Sequence, residues 1–254
     1  ETVIAMLATT SIGAIWSSCS PDFGLKGVLD RFGQIEPKIL FTADGYSYNG
    51  KKFDCITRVG VMLKLIPSIQ NVLAVPYLED NPNINRIPRT ILYHDLITTY
   101  KDKEIRFEQV PSNHPLYIMY SSGTTGLPKC MVQGVAGILV NHLKELKLHT
   151  DVKREDTIFY FTTCGWMMWN WLVSSLALGA TVVLYDGSPF YPDPGALWNL
   201  AQDEKITIFG TSARYIAALE KAGVKPGREY DLKPLKTVLS TGSPLPVEGF
   251  EYVY

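Results

Sequence analysis

The sequence lacks the features that mark secreted, metal-binding or membrane-spanning proteins. Its four cysteines are far apart and include no Cys-x-x-Cys pair; they are Cys19, Cys55, Cys130 and Cys164. This spacing argues against a zinc site and a disulfide framework, and it favours reduced thiols in the cytosol. No apolar run approaches the roughly 20 residues that a membrane-spanning helix needs, and the first residues do not resemble a signal peptide. We therefore expect a cytosolic protein without a membrane partner.

An excess of charge of one sign is also missing. The chain has 24 basic and 25 acidic residues, and no block of like charges stands out. Nothing therefore favours nucleic acid as a partner. With 254 residues, of which 46% are apolar and 19% charged, the composition is that of a globular protein with a substantial core.

Several common catalytic signatures are absent. The sequence contains no Gly-x-Gly-x-x-Gly, no Gly-x-Ser-x-Gly and no Walker A motif, which excludes their standard dinucleotide, nucleophile and phosphate sites. The four histidines, His94, His114, His142 and His149, have no metal-ligand spacing. We expect His142 and His149, which share one predicted helix, to face solvent.

Strand and helix patterns alternate along most of the chain, which predicts an α/β fold of repeated βαβ units with mainly parallel sheets. A boundary between two sub-structures is expected between residues 80 and 115, giving a first α/β subdomain, 1–110, and a second, 111–254. The segment 44–54 is predicted to be a loop. Because Glu1 begins within a helical pattern and the last residues end without a cap or breaker, we interpret the sequence as an internal piece of a longer chain.

The most informative stretch begins with the apolar run 116–120, which predicts a short buried strand. Six small residues follow, and then a lysine: Ser121, Ser122, Gly123, Thr124, Thr125, Gly126 and Lys129. Small residues allow backbone N–H groups to approach a bulky anion, and glycine accepts positive φ at little cost. Hydroxyl donors and the lysine charge complete the chemistry of a phosphate-binding loop. The alternative is a polar strand-to-helix turn.

Two further stretches follow predicted strands, and open α/β sheets bind ligands at the carboxyl ends of their strands. The first is 162–169, rich in tryptophan and methionine, and the second is 240–244. From composition alone, the first could equally be a core cluster and the second an ordinary turn.

The decapeptide Tyr120 to Lys129, Tyr-Ser-Ser-Gly-Thr-Thr-Gly-Leu-Pro-Lys, closely resembles the phosphate-loop signature of the adenylate-forming superfamily. That superfamily contains acyl-CoA synthetases, luciferases and the adenylation domains of peptide synthetases. Four other segments resemble acetoacetyl-CoA synthetases rather than acetyl- or propionyl-CoA synthetases; they are 14–24, 165–171, 184–189 and 239–245. The resemblance covers nearly the whole chain. One departure is Gln133, where many members carry histidine.

The resemblance implies part of the large N-terminal domain of an acetoacetate–CoA ligase. Such an enzyme uses ATP, Mg2+ and coenzyme A, and forms acetoacetyl-CoA through an acetoacetyl-adenylate. By position, Ser121 to Lys129 would hold the β- and γ-phosphates, and Trp166, Met167 and Met168 would border the acyl group. Gly242, Ser243 and Pro244 would pack against adenine, although serine departs from the commoner forms of this turn. The resemblance places the catalytic lysine and the small C-terminal domain outside this sequence, so we expect the piece alone to be inactive.

Three alternatives remain open at this stage. The chain could be a non-catalytic nucleotide-binding fragment, or it could adenylate another short-chain carboxylic acid. A third alternative keeps the adenylation but changes the acceptor, as in peptide-synthetase domains. Oligomeric state has no signal in the sequence.

Overall fold

The computed structural model describes residues 1–100, 104–121 and 126–254. The chain divides into two compact units, residues 1–137 and 138–254. Helices and mainly parallel strands alternate in both units, so the predicted α/β class is confirmed.

The described residues of the first unit form three small sheets. Strand β2 pairs in parallel with β5, and β5 with β6; β1 pairs in parallel with β7, and β7 pairs antiparallel with β8. Strands β3 and β4 form an antiparallel hairpin. The elements are α1 (Thr2–Ser11), β1 (Trp16–Ser17), a 3-10 turn (Pro21–Phe23), α2 (Gly24–Phe32), β2 (Ile39–Ala43), β3 (Gly45–Tyr48), β4 (Lys51–Asp54), α3 (Ile56–Leu65), β5 (Asn71–Val75), β6 (Thr90–Leu92), α4 (Tyr93–Thr99), β7 (Pro115–Tyr120) and β8 (Cys130–Gly134).

The core of the first unit forms where apolar faces of α2 and α3 pack on β2 and β5. Its most buried members are Ile69 and Val72, both with no exposed surface, and Leu40 and Met62 pack with them. Burying an aliphatic side chain of this size stabilises the fold by about 1.5–3 kcal/mol. Tyr120, the last residue of β7, packs against the same core, so the strand that precedes the predicted phosphate loop is supported by it.

The second unit is built on one parallel sheet with the strand order β10-β9-β11-β12. One face packs a core around Leu146, Ile158 and Leu172, and the other a core around Phe159, Leu197 and Phe209. Its elements, with α5 crossing from the first unit, are α5 (Val135–Lys144), a π-helical turn (Glu145–His149), β9 (Thr157–Tyr160), α6 (Met167–Ser174), a 3-10 turn (Ser175–Leu178), β10 (Thr181–Val183), α7 (Ala196–Asp203), β11 (Ile208–Ser212), α8 (Ala213–Ala222), α9 (Pro226–Glu229), β12 (Thr237–Thr241) and α10 (Val247–Val253).

The segment 44–54, predicted to be a loop, is instead the β3–β4 hairpin, so that prediction was wrong. Asn49 and Gly50 occupy the turn with φ values of 49° and 73°. Positive φ at both central residues is the geometry that Asn-Gly favours in two-residue hairpins. The dipeptide was the signal in the sequence, and the many polar residues around it obscured the strands.

The compact units divide at a different point from the predicted subdomains. Residues 111–137 belong to the first unit, because β7 pairs with β1 near the N-terminus: Trp16 is in register with Tyr117. A pairing between residues about a hundred positions apart has no local signal in the sequence. The subdomains 1–110 and 111–254 stay a prediction.

His142 was expected to face solvent, and this prediction was wrong. Its side chain is only 1% exposed, and its Nδ1 lies 2.8 Å from Ser174 Oγ. The Ser174 hydroxyl donates to Asn170 O at 3.0 Å, so Ser174 Oγ accepts the hydrogen bond and His142 carries the Nδ1 proton. Burial disfavours the charged ring and lowers the pKa of His142 to about 4, although Glu145 nearby opposes the shift.

This histidine predicts a pH-dependent loss of stability. In the unfolded chain the pKa of His142 returns to 6.5, so between that value and about 4 only the unfolded state binds the proton. Stability contributed by the neutral ring is therefore complete above pH 6.5 and falls as the pH drops toward 4. Between about pH 7 and about pH 5, the free energy of unfolding in urea should fall by about 2 kcal/mol more in the wild type than in His142→Gln.

The matched control for this experiment is His149→Gln, because His149 is exposed. That variant should lose stability on acidification as the wild type does. Identical acid sensitivity of the wild type and His142→Gln would contradict the prediction.

Candidate functional site

The loop predicted to bind phosphate joins two antiparallel strands. Tyr120 at the end of β7 is in register with Cys130 at the start of β8. The loop is closed at its base, because Ser121 N donates to Lys129 O at 3.0 Å and Lys129 N donates to Ser121 Oγ at 3.1 Å. The loop therefore returns into a hairpin rather than starting a helix, which differs from the strand-to-helix alternative.

The predicted phosphate ligands fall into two groups. Ser121 is half-buried at the loop base, whereas Gly126, with φ of 153°, and Lys129 are exposed. Exposure leaves the lysine ammonium accessible to an anion. The other four predicted residues, Ser122, Gly123, Thr124 and Thr125, lie outside the described part of the chain.

Contacts from distant segments hold both ends of this loop. Gln34, just beyond α2, donates from Nε2 to Pro128 O at 2.9 Å. Ser17 Oγ donates to Ile118 O at 2.9 Å, and the Tyr120 hydroxyl lies 2.9 Å from the same Ser17 oxygen. Because the Ser17 proton is directed to Ile118, Tyr120 is the donor to Ser17.

The aromatic ring of Tyr120 also contributes to this anchorage. The Arg31 guanidinium lies 4.4 Å from the Phe23 ring centroid and 5.8 Å from that of Tyr120. Burial raises the pKa of the Tyr120 hydroxyl, so it stays protonated as a hydrogen-bond donor. Sequence reasoning missed these contacts, because each joins residues far apart in the chain.

The predicted acyl-pocket residues lie at the start of α6. Trp166 is 53% exposed and Met167 49%, whereas Met168 is half-buried and packs on one of the two cores. Trp166 N donates to Thr163 O at 3.0 Å, which turns the chain into the helix. Trp169 and Trp171 are buried. The core-cluster interpretation therefore holds for the later residues of this stretch, while Trp166 and Met167 present apolar surface outward.

The predicted adenine-contacting turn follows β12. Gly242 has φ of 88°, and Gly242, Ser243 and Pro244 are all exposed. The nearest neighbour of a Cβ added at Gly242 would be Ser212 Cβ at 4.0 Å. Glycine is thus required here by the backbone conformation and not by lack of space.

These last two stretches share one edge of the sheet. Strands β9 and β12 are both parallel to β11, which lies between them, so their carboxyl ends emerge side by side. With adjacent strands about 4.8 Å apart, the strand ends are about 10 Å from each other. The sheet therefore brings the Trp166 and Gly242 turns to the edge where open α/β sheets bind ligands.

A sequence profile of the AMP-binding enzyme family matches residues 1–253. The chain belongs to the AMP-binding enzyme family. Similar proteins include an acetoacetyl-CoA synthetase from Gallus gallus, 50% identical over 99% of this chain, and an acetoacetyl-coenzyme A synthetase from Rhizobium meliloti (strain 1021), 51% identical over 100% of it. The chain spans 38% and 39% of these two proteins.

A solved AMP-binding relative has the same fold. The acetoacetyl-CoA synthetase from Streptomyces lividans is 49% identical and superposes with a TM-score of 0.92, covering 99% of this chain and 38% of its own. A malonamoyl-CoA synthetase from Penicillium aethiopicum is 43% identical over 99% of the chain.

The described part of the chain offers no cluster of metal ligands and no membrane-spanning helix. Within residues 1–100, 104–121 and 126–254, no group of three or more His, Cys, Asp or Glu side chains could hold a metal ion. Among the described helices, none has the length and apolar character required to cross a bilayer. The four cysteines, which are all described, form no disulfide.

The conformation of Gly242 leads to a prediction about stability. Gly242→Ala should destabilise the protein by about 1–3 kcal/mol, because alanine is strained at this positive φ even where space is available. Urea unfolding measures the effect.

Gly227→Ala is the matched control, since Gly227 has no atom within 4 Å of an added Cβ and no positive φ in the strained range. Equal stability of the Gly242 and Gly227 variants would contradict the assignment of strain to Gly242.

Proposed function

We propose that the full-length protein containing this chain is an acetoacetate–CoA ligase, and that this chain supplies part of its nucleotide and acyl sites. The observation that carries the proposal is the level of identity to acetoacetyl-CoA synthetases, 50% and 51% over 99–100% of the chain. Because the chain spans only 38–39% of those proteins, the complete reaction is proposed for the longer protein and not for this piece.

The loop closed by Ser121 and Lys129 is proposed to hold the β- and γ-phosphates of ATP. Lys129 is exposed at the loop base, and its backbone is fixed by the two hydrogen bonds to Ser121. A fixed backbone limits where the ammonium can reach, so its charge can neutralise a phosphate oxygen at little ordering cost. The hydroxyls and glycine of 122–125 are proposed from the sequence motif alone.

The edge of the second unit is proposed to hold the acyl group and the base. Trp166, Met167 and Met168 offer an apolar, adaptable surface suited to a short acyl chain. The positive-φ turn at Gly242, with Ser243 and Pro244, offers an exposed backbone against which adenine could pack. Their position at the carboxyl edge of one parallel sheet supports this assignment.

The proposed reaction has two balanced steps. A carboxylate oxygen of acetoacetate attacks the α-phosphorus of ATP, and the bond to pyrophosphate breaks. The coenzyme A thiol then loses its proton to water, and the thiolate attacks the carbonyl carbon of the adenylate. The bond from that carbon to the bridging oxygen breaks, and AMP leaves with the bridging oxygen. Positioning and charge neutralisation are the contributions expected of the residues in this chain.

The proposal also includes coenzyme A, Mg2+ and the cellular location of the protein. Coenzyme A is the acyl acceptor, and Mg2+ is expected to arrive with ATP, since the described residues supply no cluster of metal ligands of their own. The four cysteines form no disulfide, and we propose a cytosolic location, where thiols stay reduced.

Substrate preference tests the proposal directly. The full-length protein should release AMP with acetoacetate at a kcat/KM at least about tenfold above that with acetate or butyrate, because the relatives matched at 50% and 51% identity are acetoacetyl-CoA synthetases. Absence of such a preference would remove the substrate assignment and leave adenylate formation open.

The second candidate substrate is malonamate, favoured by the 43% identity to a malonamoyl-CoA synthetase. Malonamate carries an amide where acetoacetate carries a methyl ketone, so the two acids should be compared in the same assay. A higher kcat/KM with malonamate would replace acetoacetate in the proposal.

Lys129→Ala tests the phosphate loop. Removing one charge-assisted contact should raise the KM for ATP about 10- to 100-fold, while the KM for the carboxylic acid changes little. Lys38→Ala is the control, because Lys38 is also exposed in the first unit but lies outside the loop. Equal KM values for ATP in the two variants would exclude Lys129 from the phosphate site.

A further inference from the structure

A buried tyrosine links three strands at the edge proposed to hold the nucleotide. Tyr160 ends β9 and is 4% exposed. Its hydroxyl lies 2.9 Å from Thr211 O on β11 and 2.7 Å from Thr241 Oγ1 on β12. Thr241 is the last residue of β12 and directly precedes Gly242.

The direction of these hydrogen bonds follows from the number of protons. A carbonyl oxygen can only accept, so the single phenolic proton of Tyr160 is donated to Thr211 O. The Tyr160 oxygen therefore accepts the proton of Thr241 Oγ1. This arrangement fixes the threonine hydroxyl, and it leaves the lone pairs of Thr241 Oγ1 directed away from the tyrosine.

Gly210 leaves room for the Tyr160 ring to extend from β9 over β11 to β12. A Cβ added at Gly210 would lie 2.0 Å from Tyr160 Cδ2, so only glycine at this position lets the ring cross β11. On its other side the ring meets Trp171 edge to face, with centroids 6.1 Å apart and planes at 79°. Packing alone would be served by phenylalanine, so the hydroxyl has a separate role.

We propose that Tyr160 is a positioning residue, whose hydroxyl holds Thr241 and the following Gly242 turn in the conformation that receives the nucleotide. The inference rests on the proposed function for the identity of the ligand, but the positioning itself depends only on contacts within the second unit. It explains why a glycine interrupts the apolar strand β11 beside this tyrosine. Tyr160 influences the substrate only indirectly, through Thr241 and the Gly242 turn.

The test uses the full-length protein with Tyr160→Phe, Thr241→Val and the double variant. Tyr160→Phe removes the hydrogen bonds to Thr211 and Thr241, and Thr241→Val removes the one between Tyr160 and Thr241. The KM for ATP should rise about 3- to 10-fold in each single variant, with a smaller change in kcat. Because both substitutions break the same contact, the double variant should be no worse than the more affected single variant. Thr241→Ser keeps the hydroxyl and should restore a KM close to the wild type.

Amide hydrogen exchange provides a readout that does not need activity. In Tyr160→Phe, exchange should become faster at the amides of 241–243 than in the wild type. Tyr252→Phe is the matched control, because that hydroxyl donates to Val224 O after α8 and should leave the exchange of 241–243 unchanged. If the protein showed no ATP turnover, the proposed function would fail while faster exchange at the turn would still support the positioning role.

Unchanged exchange at the amides of 241–243 together with an unchanged KM for ATP in Tyr160→Phe would overturn the inference. Additive effects of Tyr160→Phe and Thr241→Val would also overturn it, because they would show that the two residues act separately. If Tyr160→Phe did not fold, Thr241→Val, at an exposed position, would decide by the same exchange and KM measurements.

Discussion

The parallel pairing of β9, β11 and β12 is the constraint on which the second unit's candidate site depends. In a parallel sheet every strand delivers its carboxyl end to the same edge, whatever the sequence of the loops that follow. Tyr160 is in the same hydrogen-bonding network as Thr211 and Thr241 only because the strand register places Gly210 opposite Tyr160. A shift of one residue would move Tyr160 to the other face and separate the two turns.

In the first unit, an exposed loop is held in place by a different strand arrangement. Here the strands on either side of the loop are antiparallel, and Ser121 and Lys129 close it through two hydrogen bonds. Gln34 and Ser17 then tie this hairpin to distant segments. Such anchorage favours anion binding, because a loop that is already ordered loses little conformational entropy when its ligand binds.

Local sequence patterns predicted where strands and helices lie, but they did not predict which of them pair or pack together. The apolar run of β7 was recognised, and strands were predicted before residues 162 and 240, because a short strand is encoded within a few neighbouring residues. The β3–β4 hairpin was missed because polar residues are frequent in it. Strand β8 was also missed, although Cys130, Met131 and Val132 are apolar. The burial of His142 was also missed, because its partner Ser174 is on another helix.

The sequence by itself determined the α/β class, the family and the residues of three candidate stretches, because alternating periodicity and short motifs are local properties of the chain. Only the tertiary structure decided which strands pair, that Trp166 and Met167 are exposed while Trp169 is buried, and that Tyr160 reaches Thr241 across Gly210. These outcomes depend on contacts between residues that are distant in sequence. Their free energies are realised only when the sheets and helices have packed.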